Sequence, residues 1–245
     1  MTPVSSRPLV GLGAIALALA FNAPFAILAA TFDYPDVLRR PAGEALDLFA
    51  AGGAPLILTW HAFALTALAL APVAIALSLT PARIASKPAL AVGAAIVGAL
   101  AALAQAIGLW RWVFVVPGLA RVHGDAASTH EAKIAAERTF ELINQYGGVA
   151  IGEHLGQMLT ALFVILLSTL QWGERRRISA VVGFATAIAI IFGAGEGVAI
   201  AIGRSGETLA SVTIAGFMGL TLWLILTGIG VMRGAGSRAV EGTRA

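Results

Sequence analysis

Six long apolar runs constrain what this chain can fold into more than any other feature of its sequence. Each holds roughly 20 residues or more, enough for an α-helix to cross the hydrocarbon core of a bilayer with its backbone hydrogen bonds satisfied. Only 12% of the residues are charged, whereas a soluble domain has about a quarter. The sequence therefore predicts an all-α integral membrane protein, a single helical-bundle domain with about six transmembrane helices near residues 9–30, 55–79, 88–110, 149–172, 178–202 and 209–232 and a cytoplasmic tail at 233–245.

The distribution of basic residues predicts the orientation of these helices. Nine lysines and arginines, with two acids, fall on the side that holds both termini and the connections after the second and fourth runs. The opposite side has seven lysines and arginines but nine acids. Because Lys and Arg accumulate on the cytoplasmic side, both termini are expected there. The lipid bilayer is the expected partner and nucleic acid is not, since these short clusters form no basic face that could follow a phosphate backbone. The sequence does not indicate an oligomeric state.

The first apolar run has a second interpretation. Arg7 precedes it and the small residues Ala29 and Ala30 end it, which is the pattern of a secretory signal with its cleavage site. The run is longer than a typical signal core, and its removal would spoil the charge balance between the two sides. A membrane span is therefore the favoured interpretation.

Two amphipathic segments stand in the long connections on the predicted external side. Apolar residues recur at the spacing of one helical face after Pro41 and after Ser128, namely Ala42, Ala45, Leu46 and Phe49, and then Ala132, Ala135, Ala136, Thr139, Phe140 and Ile143. Ser128 and Glu131 match a capping box at the start of the second segment. The glycine pairs at 52–53 and 147–148 are expected to end the two helices and let the chain turn into the membrane.

Ionisable and amide side chains within or beside the apolar runs are the candidate functional residues, because such groups are costly in hydrocarbon. The candidates for a polar ligand pocket are His61, Gln105, Arg111, Glu153, His154, Gln157 and Glu196. The predicted topology places them together in the outer third of the bundle, where Glu196 is expected to pair with a histidine or with Arg111. Glu153, Gln157 and Thr160 stand at i, i+4 and i+7 and predict a polar stripe with no polar continuation beyond Thr160.

Several of these residues also have a purely structural interpretation. Arg111 lies between two tryptophans, which is typical of an anchor in the aromatic belt whose charge reaches the interface. His61 is also explained as a neutral packing histidine, and Glu153 and His154 as hydrated interface residues. His123 and His130 are expected to be solvated loop residues. No serine stands in a nucleophile elbow and the chain has no cysteine, so no catalytic residue is identified.

Three patches of sequence resemble those of a known family. They are Phe32-Asp33-Tyr34-Pro35-Asp36 with Arg39-Arg40-Pro41, then Arg111-Trp112-Val113-Phe114-Val115-Val116-Pro117, and Gly152-Glu153-His154-Leu155-Gly156. On the basis of these three patches, the chain resembles a bacterial family of multi-pass membrane proteins classed as a domain of unknown function (DUF4386). The resemblance covers nearly the whole chain and implies an all-helical fold in the bacterial inner membrane. It implies no activity, cofactor or catalytic residue.

The sequence supports three classes of function. The favoured one is a ligand- or ion-handling protein, similar to a transporter or sensor, whose pocket binds a small polar or cationic ligand or a proton. The second is an intramembrane enzyme that uses a metal or a haem, since histidines and carboxylates are adequate metal ligands; their dispersion over several helices gives no ligand-spacing signature. The third is a structural or partner-binding subunit in which the polar residues fix the helix register. Neither a cofactor nor a metal is identified from the sequence.

Overall fold

The computed structural model describes residues 7–233, and these residues form helices and turns without a strand. The α-helices are α1 Pro8–Phe32, α2 Ala42–Ser78, α3 Pro81–Ser86, α4 Pro88–Phe114, α5 Val116–Gly124, α6 His130–Ile143, α7 Gly156–Gly173, α8 Arg177–Gly193, α9 Glu196–Ala201 and α10 Glu207–Arg233. A 3₁₀ turn occupies Asp36–Arg39 and a π-helix occupies Asn144–Leu155. Most of the predicted cytoplasmic tail, residues 234–245, lies outside the described range.

Six helical segments are long and apolar enough to cross a membrane, which confirms the predicted all-α membrane bundle. Two of their boundaries differ from the prediction in ways that affect the candidate site. Helix α4 extends past residue 110 to Phe114, so Arg111 lies within the helix rather than beyond it. The fifth segment is interrupted between Gly193 and Glu196, so Glu196 begins a short separate helix.

The first amphipathic segment continues into a membrane segment through a kink inside α2. Gly53 has φ +56° and ψ −152°, a conformation that residues with a side chain rarely adopt. Pro55 follows and lacks the N–H group that would continue the helical ladder. The predicted change of chain direction at this glycine pair is therefore confirmed.

The second glycine pair has a different effect from the predicted one. Instead of ending, helix α6 continues through Gly147 and Gly148 as a π-helix of 12 residues, and this passes directly into α7. The predicted capping box is also displaced by one residue. Thr129, not Ser128, is the N-cap, and its Oγ1 accepts a hydrogen bond from the N–H of Ala132 at 3.3 Å.

The chain divides into two compact units. The first unit comprises the described residues within Met1–Leu19, Ala69–Ala102 and Gln157–Ala245, and the second comprises Ala20–Leu68 and Leu103–Gly156. Each unit contains its own apolar core. The prediction of a single transmembrane domain stays a prediction.

The core of the first unit combines small residues with a few large ones. Phe163 packs edge-on against Trp223, with ring centroids 5.7 Å apart, and both side chains are fully buried. Gly193 packs closely against Thr213 of α10, as expected for a small residue at a helix–helix contact. Close approach between helices is therefore the main packing device of this unit.

Buried polar side chains continue along one face of α7 in the first unit, which corrects the prediction that no polar path extends beyond Thr160. Gln157, Thr160, Ser168 and Gln171 are all at most 6% exposed, and their spacing of 3, 8 and 3 residues keeps them on one helical face. Gln171 donates to Thr227 Oγ1 at 2.9 Å and accepts from Trp223 Nε1 at 3.3 Å. Uncharged polar groups were overlooked in the sequence because they carry no ionisable signal.

The core of the second unit is aromatic. Its first amphipathic segment buries the predicted apolar face, with Ala42, Ala45, Leu46 and Phe49 all at most 7% exposed. Phe49 stacks on Trp112 with ring centroids 5.7 Å apart, and Phe32 contacts the same indole edge-on at 5.3 Å. On α6 the buried face is narrower than predicted, since only Ala136 and Phe140 are buried. This aromatic core surrounds the residues considered next.

Candidate functional site

The candidate site lies in the second unit around the buried guanidinium of Arg111. This residue is 7% exposed, and its guanidinium carbon lies 5.2 Å from the centre of the Trp112 ring. Trp112 in turn stacks almost parallel on Trp60, with ring centroids 4.9 Å apart and an interplanar angle of 10°. The interpretation of Arg111 as an anchor whose charge reaches the interface is therefore wrong. The aromatic core encloses the charge because α4 continues past the predicted end of the span.

The π-helix supplies the opposite wall of this site. Arg111 donates from Nη2 to Asn144 Oδ1 at 3.0 Å and from Nη1 to the carbonyl of Gly108. Asn144 Nδ2 donates to the carbonyl of Leu38 at 3.3 Å, so the amide is held between Arg111 and the 3₁₀ turn. The guanidinium is thus positioned by uncharged groups.

Two glycines bring α4 and the π-helix into contact. A Cβ atom at Gly148 would lie 2.5 Å from the guanidinium carbon of Arg111, and one at Gly108 would lie 2.5 Å from the Cα of Gly152. The approach of Gly108 to Gly152 is backbone against backbone and tolerates no side chain, whereas a side chain at Gly148 would require the guanidinium of Arg111 to move. Long π-helical segments are rare and occur frequently at functional sites.

An ion pair completes the polar cluster. Arg39 Nη2 lies 3.0 Å from Glu153 Oε2, and the two side chains are 31% and 24% exposed. Glu153 is also an electrostatic neighbour of Arg111. We refer to Arg39, Arg111, Asn144 and Glu153 as the arginine cluster.

The other predicted residues of the second unit are Gln105, His61 and His154, and their environments differ from one another. Gln105 is 8% exposed and packs against Gly156, where a Cβ atom would meet its Cγ at 2.9 Å. His61 is half-buried, its ring lies 6.5 Å from that of Phe114, and its Nδ1 atom is buried without a hydrogen-bond partner. His154 is half-buried within the π-helix.

Two predicted residues, Gln157 and Glu196, belong to the first unit. Gln157 is 6% exposed, and its Oε1 atom has no hydrogen-bond partner. Glu196 is half-buried and its Cγ lies close to Gly206, where a Cβ atom would come within 2.6 Å. The pairing of Glu196 with a histidine or Arg111 stays a prediction. The stripe predicted from Glu153 through Gln157 rests on α-helical spacing, which begins only at Gly156.

Sequence reasoning missed Arg39 and Asn144 as site residues. Arg39 stands in a polar connection where a solvated charge is the default expectation, and Asn144 follows an amphipathic helix with no distinctive spacing. The available signal was weak: Arg39 belongs to one of the three patches that carry the family resemblance. His123 was also misjudged, because it is 13% exposed and lies between two carboxylates.

The described residues contain no group of three or more His, Asp or Glu side chains arranged to hold a metal ion. The arginine cluster has one carboxylate and two guanidinium groups, and arginine does not bind metal ions. Its chemistry is that of a hydrogen-bond donor site.

Comparison with known proteins assigns the chain to a family without assigning it an activity. No curated protein and no solved structure matches it. A family model with the description "Domain of unknown function (DUF4386)" matches residues 9–228, which include every candidate residue named above. This chain, an all-helical protein with six helices long and apolar enough to span a membrane, therefore belongs to the DUF4386 family, a domain of unknown function.

Proposed function

We propose that this protein is a ligand-handling membrane protein, similar to a transporter or sensor, that binds a small polar ligand at the arginine cluster of the second unit. The observation that carries the proposal is the burial of Arg111 with hydrogen bonds to neutral oxygens only. A buried guanidinium is costly unless it is compensated. Binding of a polar ligand offsets this cost and gives the residue a function.

The backbone around Arg111 supports the same proposal. The π-helix brings Gly148 against the guanidinium and places Glu153 within the cluster. Because π-helical segments are rare and occur frequently at functional sites, this one supports a role in recognition.

Ligand-dependent stability tests the proposal. The purified protein in detergent is heated with succinate, inorganic phosphate, choline or glucose, each at millimolar concentration. We expect at least one of the four to raise the unfolding temperature of the parent, because a ligand that binds only the folded state stabilises it. Arg111→Gln should abolish this shift. Arg138→Gln is the matched control, because Arg138 is exposed on α6.

Equal responses of Arg111→Gln and the parent would leave Arg111 a structural residue and overturn the proposal. So would the absence of any response in the parent. Glu153→Gln, which keeps the shape of the side chain, serves as the second variant if Arg111→Gln does not fold.

We propose further that the protein lies in the bacterial inner membrane with both termini cytoplasmic, on the basis of the asymmetry in basic residues. Single cysteines at Ser86 and Ser128 test this orientation, because the native chain has no cysteine. In intact cells, a membrane-impermeant thiol reagent should label the cysteine at 128 and not that at 86. Labelling of the cysteine at 86 and not of that at 128 would contradict the proposed orientation and indicate the opposite one.

A further inference from the structure

Apart from the indole N–H of Trp110, three N–H groups of the second unit are buried without an acceptor. They are the Nε1 atoms of Trp60 and Trp112 and the Nε atom of Arg111. The three residues are 0%, 0% and 7% exposed. The large majority of buried polar side-chain atoms in proteins have a hydrogen-bond partner, so three such donors in contacting side chains require an explanation.

The three donors belong to one continuous stack. The two indole rings lie nearly parallel at 4.9 Å, and the guanidinium lies 5.2 Å from the Trp112 ring. The two Nη groups of Arg111 already donate hydrogen bonds, one to the carbonyl of Gly108 and one to Oδ1 of Asn144. The three unpaired donors therefore belong to contacting side chains that include the positive charge of Arg111, and the hydrogen bonds of Arg111 go to uncharged oxygens only.

Buried side-chain oxygens without a partner occur among the described residues only in the first unit. Ser78 Oγ, Gln157 Oε1 and Ser168 Oγ are buried without partners, and all three belong to the first unit. Among the described side chains of the second unit, the buried atoms without partners are all nitrogens; besides the three donors they are Trp110 Nε1 and His61 Nδ1, which donates or accepts according to its tautomer. Such a region favours a ligand that supplies acceptors rather than donors.

From these observations, we infer that the ligand of the second unit is an oxyanion, a carboxylate or a phosphate, that accepts hydrogen bonds from Trp60, Arg111 and Trp112. The inference rests on the proposed function and specifies its ligand class. Guanidinium binds carboxylate and phosphate through charge-assisted hydrogen bonds. Indole N–H groups add donors without adding charge, so the site selects for acceptor oxygens. A cation would be repelled by the charge of Arg111 and could not accept hydrogen bonds from these donors.

The test uses tryptophan variants that remove one N–H group and keep an aromatic ring. Trp60→Phe and Trp112→Phe should each bind succinate or inorganic phosphate about tenfold more weakly than the parent, the usual effect of losing one hydrogen bond to a charged group. Trp223→Phe is the matched control, because Trp223 is equally buried and its N–H group already donates to Gln171. Its anion affinity should equal that of the parent.

A second readout separates an anion-binding role from a packing role. In the absence of added anion, Trp223→Phe should lower the unfolding temperature more than Trp60→Phe or Trp112→Phe, because it alone breaks a hydrogen bond. Arg111→Lys keeps the positive charge and both indole rings but removes the Nε donor together with the rest of the guanidinium group. It should also weaken anion binding, so the inference remains testable if a tryptophan variant fails to fold.

The source of the oxyanion is resolved by comparing free ions with lipid headgroups. Succinate and phosphate are added in detergent, and phosphatidylglycerol is compared with phosphatidylcholine in nanodiscs. Stabilisation by phosphatidylglycerol, but by neither phosphatidylcholine nor the free ions, would identify the oxyanion as an anionic lipid headgroup, and stabilisation by the free ions would identify a soluble ligand.

Each contrary result has its own meaning. Stabilisation that depends on Arg111 but comes from choline or glucose and from no anion would overturn the oxyanion inference and leave the proposed function standing. Anion binding that Trp60→Phe, Trp112→Phe and Arg111→Lys all leave unchanged would also overturn the inference. Absence of stabilisation by every probe would overturn both.

Discussion

Arg83 and Glu174 form a bidentate ion pair in the first unit, and both belong to connections predicted to face the cytoplasm. Nη2 of Arg83 lies 2.8 Å from Oε2 of Glu174, and its Nε donates to the other carboxylate oxygen. Its remaining Nη1 donates to the carbonyl of Leu77. Arg83 is only 6% exposed, so its charge depends on Glu174 for compensation.

Glu174→Gln should therefore lower the free energy of unfolding by about 2–3 kcal/mol, since it leaves a buried guanidinium without its carboxylate. Chemical denaturation of the purified protein measures the change. Glu141→Gln is the control, because Glu141 is exposed and no change above about 0.5 kcal/mol is expected there. A loss of similar size in both variants would show that Arg83 does not need its partner.

Arg176 should respond differently although it lies 3.8 Å from the same carboxylate. Burial lowers the pKa of Arg176 below its usual value, because it penalises the charged guanidinium, and Glu174 only partly opposes this effect. Arg176→Gln should therefore cost less stability than Glu174→Gln. In the double variant it should recover part of the loss, since repulsion between Arg176 and Arg83 is removed. Strictly additive losses would contradict this coupling.

His123 connects two helices of the second unit and should stabilise them. Its Nδ1 lies 2.9 Å from Asp47 and its Nε2 lies 2.9 Å from Glu137, so only the imidazolium form donates to both carboxylates. His123→Gln should accelerate amide hydrogen exchange in α6 and lower the unfolding free energy by about 1 kcal/mol. His130→Gln, at an exposed position of the same helix, should do neither. Unchanged exchange in His123→Gln would make the contacts incidental.

Gly148 and Gly147 provide a matched pair for the wall of the candidate site. A Cβ atom at Gly148 would collide with the guanidinium of Arg111, whereas one at Gly147 would meet only Ile143 at 4.0 Å, an ordinary contact. Gly148→Ala should cost about 1–3 kcal/mol of stability and reduce ligand-dependent stabilisation, because Arg111 must move. Gly147→Ala should stay within about 0.5 kcal/mol of the parent. Thermal unfolding with and without succinate measures both effects, and equal behaviour of the two variants would remove the role assigned to Gly148.

The polar groups of the first unit should contribute unequally. Gln171→Leu removes the partner of Trp223 and of Thr227, so it should destabilise the protein by about 0.6–1.7 kcal/mol, the range found for hydrogen bonds between membrane helices. Ser168→Ala removes a buried hydroxyl that has no partner and should be neutral or slightly stabilising. Unfolding in mixed micelles compares the two. A greater loss in Ser168→Ala would indicate that its hydroxyl has a partner in solution.

The sequence predicted the membrane segments because their signal is local and strong. An apolar run must satisfy its own backbone hydrogen bonds in a bilayer, so length and composition alone decide that it is a helix. The buried face from Ala42 to Phe49 was equally predictable, since helical periodicity fixes which residues share a side. The kink at Gly53 followed from the residue types Gly and Pro.

The candidate site was only partly predictable. Ionisable residues in apolar runs identified Arg111 and Glu153, because such residues are costly in hydrocarbon wherever they are placed. The ion pair between Arg39 and Glu153 joins residues 114 positions apart, and no local pattern reveals such a pairing. The burial of Arg111 was assigned wrongly for the same reason, since an arginine between two tryptophans has the same local pattern whether its charge is exposed or enclosed.

The sequence by itself determined the solvent of this protein, the number of its membrane-spanning segments and the types of residue available for binding. These depend on composition and period, which each segment carries independently of the others. Only the tertiary structure decided that the π-helix replaces a predicted turn at Gly147 and Gly148, and that two indoles and a guanidinium share one buried stack. Such features arise from packing between distant segments, where a glycine beside Arg111 and an absent acceptor beside Trp60 become apparent only once the chain has folded.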